Sequence, residues 1–270
     1  MKSSDHILAC TGVQKHFGGV AAVDVDHLEV ERGSITALIG PNGAGKTTFF
    51  DIITGFLDPD GGAILFEGTD ITDKPAHAIA RSGLVRTFQL TRILNKMTVL
   101  DNMLLAAPDQ MGEHVGNTFV RRSRISSQEK TNQKRALELL DRFSLLPLAG
   151  EYGGRLSGGQ KKLLELARAL MANPTMVLLD EPMAGVNPAL GEELLRYVLE
   201  LREEGMTFLF VEHDMDIVMR ISDRVVVMAT GEIIADGSPD DVRSDATVLA
   251  AYLGDHAAED IAEAEEGSEQ

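Results

Sequence analysis

Eight consecutive residues, Gly40-Pro41-Asn42-Gly43-Ala44-Gly45-Lys46-Thr47, fit the pattern G-x-x-x-x-G-K-[ST]. That spacing suits a loop wrapped around a chain of phosphates. Gly43 and Gly45 open backbone conformations closed to other residues and let the main chain approach a ligand. Loop N–H groups and the start of the next helix concentrate partial positive charge there. Lys46 would reach the β- and γ-phosphates of a nucleoside triphosphate, and the Thr47 hydroxyl would coordinate Mg²⁺. Thr48 closes the candidate nucleotide-binding set that begins at Gly40. A glycine-rich turn without a ligand is the other reading.

A second string far down the chain carries acids. Met176-Val177-Leu178-Leu179-Asp180-Glu181 reads as a buried strand ending in two carboxylates. Burying paired acids is costly unless a cation or a reaction needs them. Asp180 would hold Mg²⁺, directly or through water. Glu181 would orient or deprotonate an attacking water, a role that contributes about 10²–10⁴ in rate. Two strand-end acids facing solvent would give the same string.

These groups need elements to position them. Residues 34–39 form a short apolar run rich in β-branched side chains, which predicts a strand before the loop. Residues 46–55 carry Phe49, Phe50 and Ile53 at helical spacing, which predicts a helix after it. Strand, glycine loop and helix start is the context the motif requires.

Leu156-Ser157-Gly158-Gly159-Gln160 opens another helix, with Leu163, Leu166, Ala167, Leu170 and Met171 as its apolar stripe. Asn173-Pro174 ends it. Ser157 and two glycines at a helix N-terminus make a donor cluster suited to a γ-phosphate, although a plain turn would also use them. With this string in place, residues 7–254 resemble the ATP-binding cassette family. The resemblance implies a P-loop α/β fold: a parallel core sheet, an antiparallel β-subdomain, and a helical subdomain inserted over roughly 92–155. It implies ATP and Mg²⁺ as cofactors. It also implies that residues 157–160 complete the site of the opposite subunit in a head-to-tail dimer.

Further roles come from the same resemblance. Gln89, in Arg86-Thr87-Phe88-Gln89, matches the glutamine that senses Mg²⁺ and the attacking water and links to the transport partner. His213, in Phe210-Val211-Glu212-His213-Asp214, matches the switch histidine that contacts the γ-phosphate. Phe17 matches the aromatic that stacks on adenine; a core aromatic is the rival reading. After Glu181 the family usually ends a small-residue segment in Leu-Asp, whereas here Asn187 replaces that aspartate. Asn keeps the hydrogen-bonding geometry and loses the charge.

The Ala-Gly-x-Asn-Pro form is similar to the LivG-type ATPases of branched-chain amino-acid importers. Arg86–Gln89 in that form, Glu212-His213-Asp214-Met215 and the closing Ala251-Tyr252-Leu253-Gly254 resemble the same group. Urea and short-chain amide importers share much of this pattern, and lipopolysaccharide-export ATPases are close. A soluble, non-transport cassette ATPase would be expected to show tandem cassettes, a long coiled coil or a basic surface, none of which appears. The implied partners are membrane permease subunits, a sister or identical ATPase subunit and, indirectly, a periplasmic substrate-binding protein.

Composition agrees with that class. The formal charge of −17 argues against a nucleic-acid partner, which needs a basic footprint. Hydrophobic residues make up 44% of the chain, enough for a sizeable core, and apolar runs are strand-length rather than membrane-spanning. The N-terminus lacks a signal-peptide pattern, and the single Cys10 excludes an internal disulfide. The expected location is the cytoplasmic face of the inner membrane, as a peripheral subunit. Residues 255–270 hold seven acids and no Lys or Arg, which predicts a disordered or loosely helical tail that aids solubility or makes a regulatory contact. The polar segment 108–134 is expected to include a mobile loop. Its basic run, Arg121-Arg122-Ser123-Arg124, reads as a solvated loop or a weak contact with lipid headgroups.

Overall fold

The computed structural model describes residues 6–87, 93–108 and 122–252. Two sheets organise them. The first is antiparallel, in the order β2-β1-β4-β5, from β1 (His6–Phe17), β2 (Val20–Glu31), β4 (Gly61–Phe66) and β5 (Thr69–Asp70). A Gly18-Gly19 turn joins β1 to β2, with Gly18 at φ +60°.

The second sheet has six strands in the order β10-β9-β3-β8-β7-β6. These are β3 (Ile35–Ile39), β6 (Leu84–Arg86), β7 (Met176–Asp180), β8 (Thr207–Val211), β9 (Arg224–Ala229) and β10 (Glu232–Gly237). All neighbours pair in parallel except β9 and β10. Every residue of β3, β7 and β8 is buried, as expected for a parallel sheet covered on both faces. Side chains alternate between two cores. Ile35, Ala37 and Ile39 join Val177, Leu179, Phe208 and Phe210 on one face. Leu38, Met176, Leu178, Leu209 and Val211 pack on the other, with the antiparallel sheet and α1 (Lys46–Ile53).

Further helices among the described residues include α2 (Ala76–Arg81), α3 (Val99–Leu105), α4 (Arg122–Arg142), α5 (Gly158–Met171), α6 (Pro188–Glu203), α7 (Met215–Ile221) and α8 (Pro239–Ser244). Helices α3, α4 and α5 share a core in which Met103, Ala136, Leu140 and Phe143 meet Leu163 and Leu170. The whole expected stripe of α5 is buried.

One expectation is corrected here. From Arg122 onward the supposed loop is the start of α4, which continues through Lys134 to Arg142. Only its last turns reach the core, through Ala136 and Leu140, while residues 126–134 are exposed or half-buried. An exposed helix lacks apolar periodicity and is carried by good polar helix formers and by its anchored end. The sequence signal for a helix was therefore weak in its first half. Arg121, Gln89 and residues 255–270 lie outside the described residues, as does part of the expected mobile loop. Among the described residues, no helix is long and apolar enough to cross a membrane.

Candidate functional site

Parallel pairing places the carboxyl ends of β3, β8 and β7 side by side. In open α/β sheets this edge is where ligands bind. The 40–47 loop leaves β3 here, Asp180 ends β7 with Glu181 just beyond it, and His213 lies just past β8.

The loop's backbone depends on glycine at two points. Gly40 has φ +148°, and a Cβ there would sit 2.0 Å from the Met228 carbonyl oxygen. Gly45 has φ +99°, and its Cβ would meet the Ala22 carbonyl oxygen at 2.3 Å. The loop is thus pressed against both β9 and β2. Gly45 ends it in a left-handed conformation, and α1 begins at Lys46 without a side-chain cap. Its first N–H groups are left for a ligand. Lys46 is 6% exposed, and its Nζ donates to the carbonyls of Gly40 at 2.6 Å and Pro41 at 2.8 Å. The ammonium is held over the loop it is expected to serve.

A cavity of about 420 Å³ opens on this loop. It is lined by residues 42–48 together with Val20, Ala21, Ala22, Thr230, Glu181 and His213. The structure thus brings together Asn42, Gly43, Ala44, Gly45, Lys46, Thr47, Thr48, Glu181 and His213. Gly40 and Pro41 form the base of the loop. The contributions of Val20, Ala21, Ala22 and Thr230 had no sequence signal, because small residues in a hairpin and a turn acquire meaning only by position.

Glu181 has φ +46°, an uncommon conformation for a residue with a Cβ and a recurrent form of strain at functional sites. Its N–H donates to the Val211 carbonyl at 3.0 Å, fixing the turn to β8. Its Oε1 lies 2.8 Å from His213 Nε2. Lys162, on α5, donates to the Glu181 carbonyl at 3.3 Å. Glu212 supports both segments: its carboxylate accepts from Met183 N–H at 2.8 Å and from His213 N–H at 3.1 Å. Burial pushes the Glu212 carboxyl above the usual carboxylate range, against the pull of those two N–H donors. Sequence reading missed Glu212 and Lys162; the acid preceding His213 was the only available hint.

Asp180 is buried, and its Oδ2 accepts from Arg86 Nη2 at 2.6 Å. Arg86 also was missed. Its string was legible, but its partners belong to distant elements. The oxygen donors offered by Thr47 and Asp180 suit a hard cation such as Mg²⁺, which binds through one or two carboxylates and substrate phosphates. Among the described residues, no cluster of three or more His, Cys, Asp or Glu could hold a metal by itself.

Other candidates fall outside the cavity lining. Phe17 is 53% exposed at the end of β1, so it is not a core aromatic. Lys15 Nζ lies 5.9 Å from its ring centroid. Ser157 caps α5: its Oγ accepts from Gln160 N–H at 3.3 Å, while Gln160 Oε1 accepts from Ser157 N–H at 2.9 Å. Gly158 is exposed, but Gly159 is buried, and a Cβ on it would lie 2.3 Å from Leu190 Cδ1. None of residues 157–160 lines the cavity of its own chain. Asn187 caps α6, accepting from Leu190 N–H at 3.0 Å. That contact uses the amide oxygen and has no need of a charge.

Comparisons with known proteins identify the family. A family model described as ABC transporter matches residues 23–184, and one described as Branched-chain amino acid ATP-binding cassette transporter matches residues 232–258. A probable branched-chain amino acid transport ATP-binding protein LivG of Archaeoglobus fulgidus is 44% identical over 248 residues, covering 92% of this chain and 95% of that protein. The solved ADP conformation of an ATP-binding cassette of an ABC transporter is 40% identical with a TM-score of 0.80, covering 93% of this chain and 100% of that one. A dimeric ATP-binding cassette bound to ADP and Pi, in a post-hydrolysis state, is 25% identical with a TM-score of 0.70, covering 86% and 98%. The loop, the two acids at the end of β7 and the extent of these matches lead to one assignment: the chain belongs to the ATP-binding cassette family of transporter ATPases.

Proposed function

We infer that the chain is the ATP-binding and ATP-hydrolysing subunit that energises an ABC importer of branched-chain amino acids. The carrying observation is the split site. Lys46, Glu181 and His213 converge on one cavity, while residues 157–160 are not part of its lining.

In this reading residues 40–48 bind the phosphates through backbone N–H groups and Lys46, and Phe17 stacks on adenine. The exposure of Phe17, on the hairpin whose Val20, Ala21 and Ala22 line the cavity, supports that role. Thr47, Asp180 and Gln89 serve Mg²⁺, which neutralises phosphate charge when bound. Glu181 accepts a proton from the attacking water, and His213 holds the Glu181 carboxylate and reaches the γ-phosphate. Ser157, Gly158, Gly159 and Gln160 cap the γ-phosphate in the partner cassette, whether sister or identical. The dimeric state of the similar cassette bound to ADP and Pi supports the pairing of two cassettes.

Residues 7–254 then form the ATPase domain, with 92–155 as its helical insertion and 255–270 as an acidic tail. The subunit sits at the cytoplasmic face of the inner membrane, held by permease subunits and served indirectly by a periplasmic binding protein. The test is reconstitution with permease, second cassette and binding protein in ATP-loaded vesicles. Leucine uptake is expected, and none with Glu181→Gln. Urea uptake without leucine uptake would reassign the cargo, and failure to copurify with any permease would sink the transporter reading.

A further inference from the structure

We propose that Arg86 is the positioning residue of the metal carboxylate Asp180, and that Asp51 holds Arg86 in place; this rests on Asp180 serving Mg²⁺. Arg86 ends the edge strand β6, paired to Leu178 of β7. Its side chain is 6% exposed. Nη2 donates to Asp180 Oδ2 at 2.6 Å and Nη1 to Asp51 Oδ1 at 2.5 Å. The guanidinium carbon lies 5.6 Å from the centroid of the Phe50 ring.

Phe50 and Asp51 belong to α1, the helix that begins with Lys46 and Thr47. Arg86 therefore ties the helix carrying one oxygen donor to the strand carrying the other. A planar guanidinium can donate to two carboxylates at once and lie against a ring; a lysine ammonium has no such fixed fork. A buried ion pair adds little to stability over apolar packing. What this one supplies is direction: it takes Oδ2 of Asp180 and leaves Oδ1 for the cation or its water. Partners that orient a ligating carboxylate typically control metal affinity by about 10–100-fold.

The experiment measures Mn²⁺ affinity of the ATP complex by electron paramagnetic resonance, with hydrolysis blocked by Glu181→Gln. ATP affinity in EDTA is measured separately. Adding Arg86→Gln should weaken Mn²⁺ binding about tenfold or more, Asp51→Asn should weaken it less, and Arg86→Lys should recover part of the loss. ATP affinity in EDTA should not move. Unchanged Mn²⁺ affinity in folded Arg86→Gln overturns the proposal. If that variant does not fold, unchanged affinity in Asp51→Asn does so, since Asp51 is more exposed. Asp180→Asn separates the two levels. Unchanged affinity there removes the metal role of Asp180 and the proposal with it. A loss there alone overturns only the role of Arg86.

Discussion

His213 Nε2 lies 2.8 Å from Oε1 of Glu181, linking the segments that follow β8 and β7 in the lining of the phosphate-loop cavity. The contact holds a carboxylate whose backbone is itself in a left-handed turn. The proposed role of this carboxylate as a base can be tested without disturbing binding. Glu181→Gln should bind ATP as the wild type does and lose about 10²–10⁴ in hydrolysis rate. It should also accumulate as a closed dimer with ATP. Steady-state ATPase assays and size-exclusion chromatography read both, and wild-type turnover would remove Glu181 as the base.

His213→Ala should act on kcat more than on KM. Its ring nitrogen contacts the Glu181 carboxylate, 2.8 Å away, rather than the loop proposed to bind the phosphates. A loss of about 10²-fold or more in kcat is expected for disturbing a general base. The side chain is 48% exposed, so thermal unfolding should change little. An effect confined to KM would contradict this arrangement.

Lys46→Ala should weaken ATP binding about 10–100-fold, the equivalent of one charge-assisted hydrogen-bonding group. Isothermal calorimetry in EDTA isolates this from metal effects. Unchanged affinity would mean that the ammonium stays on the Gly40 and Pro41 carbonyls when nucleotide is bound.

Gly159→Ala should destabilise the isolated chain by about 1–3 kcal/mol, because the added methyl overlaps Leu190. Gly158→Ala should not, since the atom nearest its added methyl, the Gly185 carbonyl oxygen, would be at an ordinary 3.6 Å. Comparing their melting curves in the monomer separates packing within the chain from any role across a dimer.

Cys10 is fully buried, and burial pushes its thiol up from 9.0 to about 12. It should resist iodoacetamide at pH 8 in the native protein and react after denaturation. Between about pH 9 and pH 12 the unfolded thiol loses its proton while the folded one keeps it. The unfolded state then binds fewer protons, and this group's contribution to stability falls as pH rises. Cys10→Ala should show a shallower loss over that range in chemical denaturation.

The sequence by itself determined the chemistry. The 40–47 loop, the 176–181 strand with its two acids, and the 156–160 string are local patterns whose side-chain types and spacing carry meaning along the chain. The strands at 35–39 and 176–180 were legible for the same reason, since burial on both faces demands unbroken apolar runs. Tertiary structure decided what meets what. Parallel pairing of β3, β8 and β7 brought Lys46, Glu181 and His213 to one cavity across more than a hundred residues of chain. It gave Arg86 two carboxylate partners on different elements, made Glu212 the brace of the Glu181–His213 segments, and turned Gly159 into a packing contact. It also extended α4 back to Arg122, where an exposed polar surface leaves no apolar period to read. Contacts between distant segments depend on the sheet order, and no local pattern encodes that order.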